Sequence, residues 1–256
     1  MEIVRFFISD LNCDPNVLDQ NSCTSLHFAA ENDQLHIIKY LIEEQNCNPS
    51  CLDKINNAPL NYASMKGHLD AVKYLAKSLK LANILNSVTV ASRHNSPIHD
   101  AAFNGHLDVV QYFIFDLNCD PNIEDQNRKT LLHSSAQGDH LHIVKYLIEE
   151  LNCNPLCLDD KDITPLDYAS KLGHLDIVMY LTSEQHCDPD ISRKTTSMCL
   201  DHFKSSPLLL SAEGGHLDVI KYLALEKQCD PKHQDANKSS VLHAAARGGH
   251  LETVKF

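Results

Sequence analysis

Two short strings recur along this chain in one register, and that recurrence limits the possible folds more than any other feature. GHLD begins at Gly67, Gly105, Gly173 and Gly215, GHLE at Gly249, DHLH at Asp139 and DQLH at Asp33. Nine residues before each lies a second motif: TSLH from Thr24, APLN from Ala58, SPIH from Ser96, TLLH from Thr130, TPLD from Thr164, SPLL from Ser206 and SVLH from Ser240. The starts are separated by 34, 38, 34, 34, 42 and 34 residues. A fixed period of this size marks an array of small units that cannot bury their apolar sides alone and must stack.

Each unit reads as two short helices. Thr24, Thr130 and Thr164 suit the N-cap, and Pro59, Pro97, Pro165 and Pro207 fall at the first helical position, where a missing N–H removes no bond. Small pairs such as Ala29-Ala30 and Ala101-Ala102 let helices approach closely, and the Gly of GHLD ends the first helix with a left-handed residue. The second helix carries apolar residues at helical spacing, as in Leu141, Ile143, Val144, Leu147 and Ile148. Asn12, Asn46, Asn118 and Asn152 follow it at positions suited to a left-handed cap.

These motifs resemble those of the ankyrin repeat family, whose unit of about 33 residues carries T-P-L-H-x-A. The resemblance covers the whole chain. It implies a mainly α fold, a solenoid of helix-turn-helix units joined by β-hairpin-type loops, forming a single array over residues 1–256. Repeats start near 24, 58, 96, 130, 164 and 206, with partial repeats at 1–23 and 240–256. MEIVRFFISDLNCDPN aligns with LHIVKYLIEELNCNPL from Leu141, so both ends fall within a second helix and lack a polar outer face. The expectation is a piece of a longer array whose ends fray or self-associate.

Two departures stand out. The family places Gly at the hairpin tip, where this chain has Ser22, Asn56, His94, Arg128, Asp162, Lys204 and Lys238. A positive φ strains such residues, so the tips are expected to open. The linkers at 79–95 and 190–205 are longer than the 34-residue spacing requires. Tolerance of surface loops explains them more simply than a binding role, although insertions in solenoids map to one face.

The residue types that carry chemistry are absorbed by the period. Ten of the 16 histidines belong to the two motifs. The family implies that the first set (His27, His99, His133, His243) bonds backbone between units and that the second packs at the helix turn. Cys13, Cys47, Cys119, Cys153, Cys187 and Cys229 share a register where a small buried apolar group suffices. The C-x3-C pairs Cys47/Cys51 and Cys153/Cys157 lack a matched second pair for zinc. Cys23 and Cys199 are the thiols expected to be exposed. Phosphate-loop, nucleophile-elbow and zinc-protease motifs are absent from the sequence, so the reading is non-catalytic, with no cofactor, metal or small-molecule substrate.

A net charge of −12 disfavours nucleic acid and anionic membranes as partners and favours basic protein segments. The family holds partners, whether peptides or folded domains, with its hairpin tips and the exposed face of its first helices, which line a concave groove. By register that face comprises Phe28, Glu31, Tyr62, Met65, Asp100, Phe103, Gln137, Tyr168, Lys171 and Leu210. Phe28, Tyr62, Met65, Phe103 and Tyr168 would form a broken apolar stripe, unless each ring packs against its own neighbour. The expected role is a cytoplasmic scaffold or adaptor. The alternative is a regulatory ankyrin region of a larger enzyme, receptor or channel.

Overall fold

The computed structural model describes residues 2–79, 96–189, 206–235 and 237–256. Residues 80–95 and 190–205 of the two longer linkers, with the tip positions His94 and Lys204 and with Cys199, lie outside the described residues. The chain divides into two compact units, residues 1–126 and 127–256.

The first unit holds α1 (Glu2–Arg5), α2 (Ser25–Glu31), α3 (Leu35–Glu43), α4 (Pro59–Met65), α5 (Leu69–Ser78), α6 (Pro97–Phe103) and α7 (Leu107–Gln111). The second holds α8 (Leu131–Gln137), α9 (Leu141–Lys145), α10 (Pro165–Leu172), α11 (Leu175–Ser183), α12 (Pro207–Gly214), α13 (Leu217–Lys221), α14 (Val241–Gly248) and α15 (Leu251–Lys255). Each helix of seven or eight residues starts just after the first residue of a TPLH-type motif, and each GH-type motif leads into a second helix. Within each unit, first helices stack on first helices (α2 on α4 on α6; α8 on α10 on α12 on α14) and second helices on second helices.

That stacking is the core. Leu26, Ile38, Leu41, Leu75, Ile98 and Phe113 are fully enclosed in the first unit, as are Leu131, Leu132, Ile143, Leu147, Ile177 and Leu181 in the second. Each such side chain contributes roughly 1.5–3 kcal/mol by leaving water, well above what an exposed ion pair gives.

The local signals act as expected. Prolines 59, 97, 165 and 207 open their helices. Gly67, Gly105, Gly173, Gly215 and Gly249 have φ between 71° and 85°, and Asp33 and Asp139 hold the same left-handed place. Asn12, Asn46, Asn118 and Asn152 are left-handed, joined by His186 and Gln228. The residue after each of these six is a cysteine of the shared register. Its N–H donates to the carbonyl six residues back, for example Cys47 to Leu41 at 2.9 Å and Cys229 to Leu223 at 3.0 Å.

The tips do not open as expected. Ser22, Asn56, Arg128, Asp162 and Lys238 keep φ of 58–64°. At four of these tips an aspartate five residues before the motif start holds the turn closed. In the first unit Asp53 Oδ1 accepts the N–H groups of Ile55 (2.9 Å) and Asn57 (2.8 Å), while the backbone N–H of Asp53 donates to the Asn57 carbonyl (3.0 Å). Asp19, Asp159 and Asp235 repeat the arrangement. Two bonds to a carboxylate, each contributing roughly 1.5–3 kcal/mol, outweigh the roughly 1–2 kcal/mol that a left-handed lysine costs. The loops close as short hairpins without a ladder. Among the described residues the one isolated bridge joins Gln234 and Ser240.

Candidate binding face

Two ladders of imidazoles join neighbouring repeats, and they run in opposite directions. In the first helix the backbone N–H of Thr24 donates to His27 Nδ1 at 3.0 Å, so the ring proton sits on Nε2. That nitrogen reaches forward to the Asn57 carbonyl at 3.2 Å, and His133 reaches Ile163 at 3.0 Å in the same way. Burial holds the His27 pKa below its ordinary value, consistent with this neutral tautomer. At the matching position Asn61 and Asp167 accept the N–H of Ala58 and Thr164.

The second set reaches backward. Nε2 of His68, His106, His174, His216 and His250 lies 2.9–3.2 Å from the carbonyls of Glu31, Met65, Gln137, Lys171 and Glu213. Each of several rings rests on the glycine of the preceding repeat. A Cβ on Gly67, Gly173 or Gly215 would lie 2.3 Å from the ring of His106, His216 or His250. This pairing of glycine with the next imidazole explains why G and H recur together, which helix termination alone does not.

A third ladder runs along the second helices. Lys39, Lys73 and Lys145 place their ammonium groups 5.6, 5.8 and 4.9 Å above the rings of Tyr74, Tyr112 and Tyr180 in the following repeat. The hydroxyls of Tyr74 and Tyr180 donate back to Glu43 (2.7 Å) and Glu149 (2.9 Å). The recurring K-Y dipeptide was its signal in the sequence.

The structure sorts the ten candidate residues into distinct groups. Phe28 and Phe103 are exposed, at 47% and 43% of their surface. Glu31, Met65, Gln137 and Leu210 are half-buried and Lys171 is exposed. Tyr62 and Tyr168 are half-buried and tied down. Their hydroxyls donate to Asp53 and Asp159 at 2.8 Å, and their rings meet His27 and His133 edge to face at 5.5 and 6.0 Å. Burial and the hydrogen bonds with Cys23 and Asp53 push the Tyr62 hydroxyl far above its usual pKa. Asp100 is enclosed at 6% exposure and accepts from Asn61 Nδ2 at 2.8 Å; burial raises its pKa to about 7.

The thiols need two corrections. Cys23, expected to be exposed, is buried with its sulfur 3.4 Å from the Tyr62 hydroxyl. Cys13, expected to pack like its register mates, is exposed. The other five of that register are buried, and burial pushes the thiols of Cys119 and Cys187 up to about 11, so they stay protonated. Cys51 and Cys157 lie against Thr24 and Thr130 at 3.5 and 3.3 Å. Thus one cluster of threonine, histidine, cysteine, aspartate and tyrosine occurs in each unit, offset by 106 residues.

Helix pairs stacked through repeated side-chain-to-carbonyl bonds define a tandem-repeat protein with an exposed first-helix face. The chain belongs to the ankyrin repeat family: residues 1–86, 98–195 and 192–256 match the family described as ankyrin repeats in three copies, and residues 60–114 match ankyrin repeats in many copies. Members are generally protein-interaction modules and typically non-catalytic. No curated protein matches the chain. Among the described residues no helix is long and apolar enough to cross a membrane.

Proposed function

We propose that this chain is a non-catalytic scaffold or adaptor that holds a protein segment against the first-helix face and hairpin tips of its first unit. The observation that carries the reading is the exposure of Phe28 and Phe103. Both belong to helices whose other apolar side chains, Leu26, Ala30, Ile98 and Ala102, are enclosed. Aromatic rings on rigid helices are what interface centres favour. Half-buried Tyr62 and Met65 share the register of these rings. The net charge of −12 favours a basic partner, a peptide or folded domain, over nucleic acid. A reducing, cytoplasmic setting fits the use of cysteine as a small packed side chain.

The test is affinity capture with cross-linking, using wild type beside a Phe28→Ala/Phe103→Ala double variant. Both rings are about half exposed, so the variant should stay folded while losing at least ~10-fold in affinity for captured proteins. Undiminished capture by a folded double variant would refute the reading.

A further inference from the structure

One rung of the lysine–tyrosine ladder has its charge reversed. Four residues past Lys39 and Lys145 stand Glu43 and Glu149, whose carboxylates accept from the hydroxyls of Tyr74 and Tyr180 at 2.7 and 2.9 Å. Four residues past Lys73 stands Lys77. The Lys73 ammonium lies 5.8 Å above the Tyr112 ring, so this rung keeps the register of the other two. Lys77 therefore holds the place that a glutamate holds elsewhere, one helical turn beyond Lys73 on α5.

Three groups at this rung are left without a counterpart. The Tyr112 hydroxyl makes no hydrogen bond among the described residues. Burial and the nearby Asp116 carboxylate hold its pKa above the ordinary value, so it stays protonated and available as a donor. Lys73 and Lys77 are exposed and form no ion pair among the described residues. Like charges one turn apart destabilise the helix that carries them. Three residues past Tyr112, Phe115 is 61% exposed, although Phe113 and Ile114 between them are enclosed. Asp116 is also exposed, which leaves two cations against one anion beside an uncovered ring.

We propose that this rung docks an acidic segment of a partner protein, whose glutamate or aspartate carboxylate accepts from the Tyr112 hydroxyl between Lys73 and Lys77 while an adjoining apolar side chain covers Phe115. The partner's carboxylate takes the place that Glu43 and Glu149 hold in their own rungs, so the ligand chemistry is specified by the chain's other repeats. The surface lies on second helices, apart from the first-helix rings of Phe28 and Phe103. A chain of net charge −12 thereby carries one spot that selects for acid.

Lys77→Glu rebuilds the pattern of the other rungs within the chain. It should raise the urea midpoint of the wild type more than that of Tyr112→Phe, because only the hydroxyl can use the new carboxylate. A double-mutant cycle isolates this coupling from the helix pairing of Lys73 with the new glutamate. An equal gain in both backgrounds would place residue 77 away from the hydroxyl and overturn the proposal.

Binding is tested with phage-displayed random peptides, depleted on the folded Lys77→Glu variant and then selected on the full wild-type chain. The recovered peptides should carry Glu or Asp beside a large apolar residue. By fluorescence anisotropy the tightest of them should weaken at least ~10-fold on Tyr112→Phe and on Phe115→Ala. Its affinity should also fall severalfold as NaCl rises from about 20 to 500 mM. The Phe28→Ala/Phe103→Ala variant should bind it as the wild type does. Circular dichroism checks that each variant is folded, and Tyr112→Phe carries the test if Phe115→Ala is not. An empty selection, peptides without an acidic residue, binding unchanged by Tyr112→Phe, or loss of binding on the Phe28/Phe103 variant would each overturn the proposal.

Discussion

The Asp100 carboxyl sits on the first-helix face yet is turned inward, held by Asn61 at 2.8 Å and pushed by burial to a pKa of about 7. A free carboxyl titrates near 4, so the folded state favours the protonated form. That form's advantage is complete at acid pH and is lost as pH rises from about 4 through 7. Asp100→Asn should therefore raise the melting midpoint at pH 8, by up to ~4 kcal/mol in stability before relaxation is discounted. The gain should vanish towards pH 4, and thermal melts across that range would show it. A gain independent of pH would mean the carboxylate is better solvated than its position indicates. His27 acts with the opposite sign: its lowered pKa gives stability that is present above about 6.5 and is lost as pH falls through the folded value. Asp100 was legible as a register position but not as buried, because its enclosure depends on Asn61, 39 residues away.

Helix positions were legible because their signals are local: a capping residue, a proline, a left-handed glycine. The tip turns were misjudged because the strain of a left-handed residue was weighed without its partner. Asp19, Asp53, Asp125, Asp159, Asp201 and Asp235 recur five residues before the motif starts, a periodic signal as clear as the glycines. Glycines 173 and 249 separate two effects at the same element boundary, since both have positive φ (83° and 77°) but only Gly173 has a ring 2.3 Å from its Cβ position. Gly249→Ala should cost about 1–2 kcal/mol, the penalty of a left-handed alanine. Gly173→Ala should cost more by about 1–3 kcal/mol, because the His216 ring must leave its seat and the Lys171 carbonyl. Urea midpoints would compare them, and equal losses would show that the ring moves freely.

Across the whole molecule, 34 acidic residues face 22 basic ones. The ion pairs Arg5–Glu44, Lys66–Glu31 and Lys255–Glu252 join substantially exposed side chains, and such pairs contribute little. Repulsion among the excess carboxylates should therefore dominate the salt response. The melting midpoint should rise between about 20 and 500 mM NaCl as screening shortens its range. A fall would show that attractive pairs outweigh the net charge. The stacked helices and the register of the candidate face were legible from the period. The exposure of Phe28 and Phe103 against the anchoring of Tyr62 and Tyr168 was not, since it depends on which loop aspartate each hydroxyl meets.

The imidazole-on-glycine contact bears on how such a chain can change its length. Its two halves always lie on opposite sides of a boundary, so a module copied or deleted whole carries away one socket and one plug and leaves a matching pair at the new seam. Residues 24–78 and 130–184 read as near-duplicates. Joints that are interchangeable from one module to the next would let such doubling occur without any new surface having to be invented.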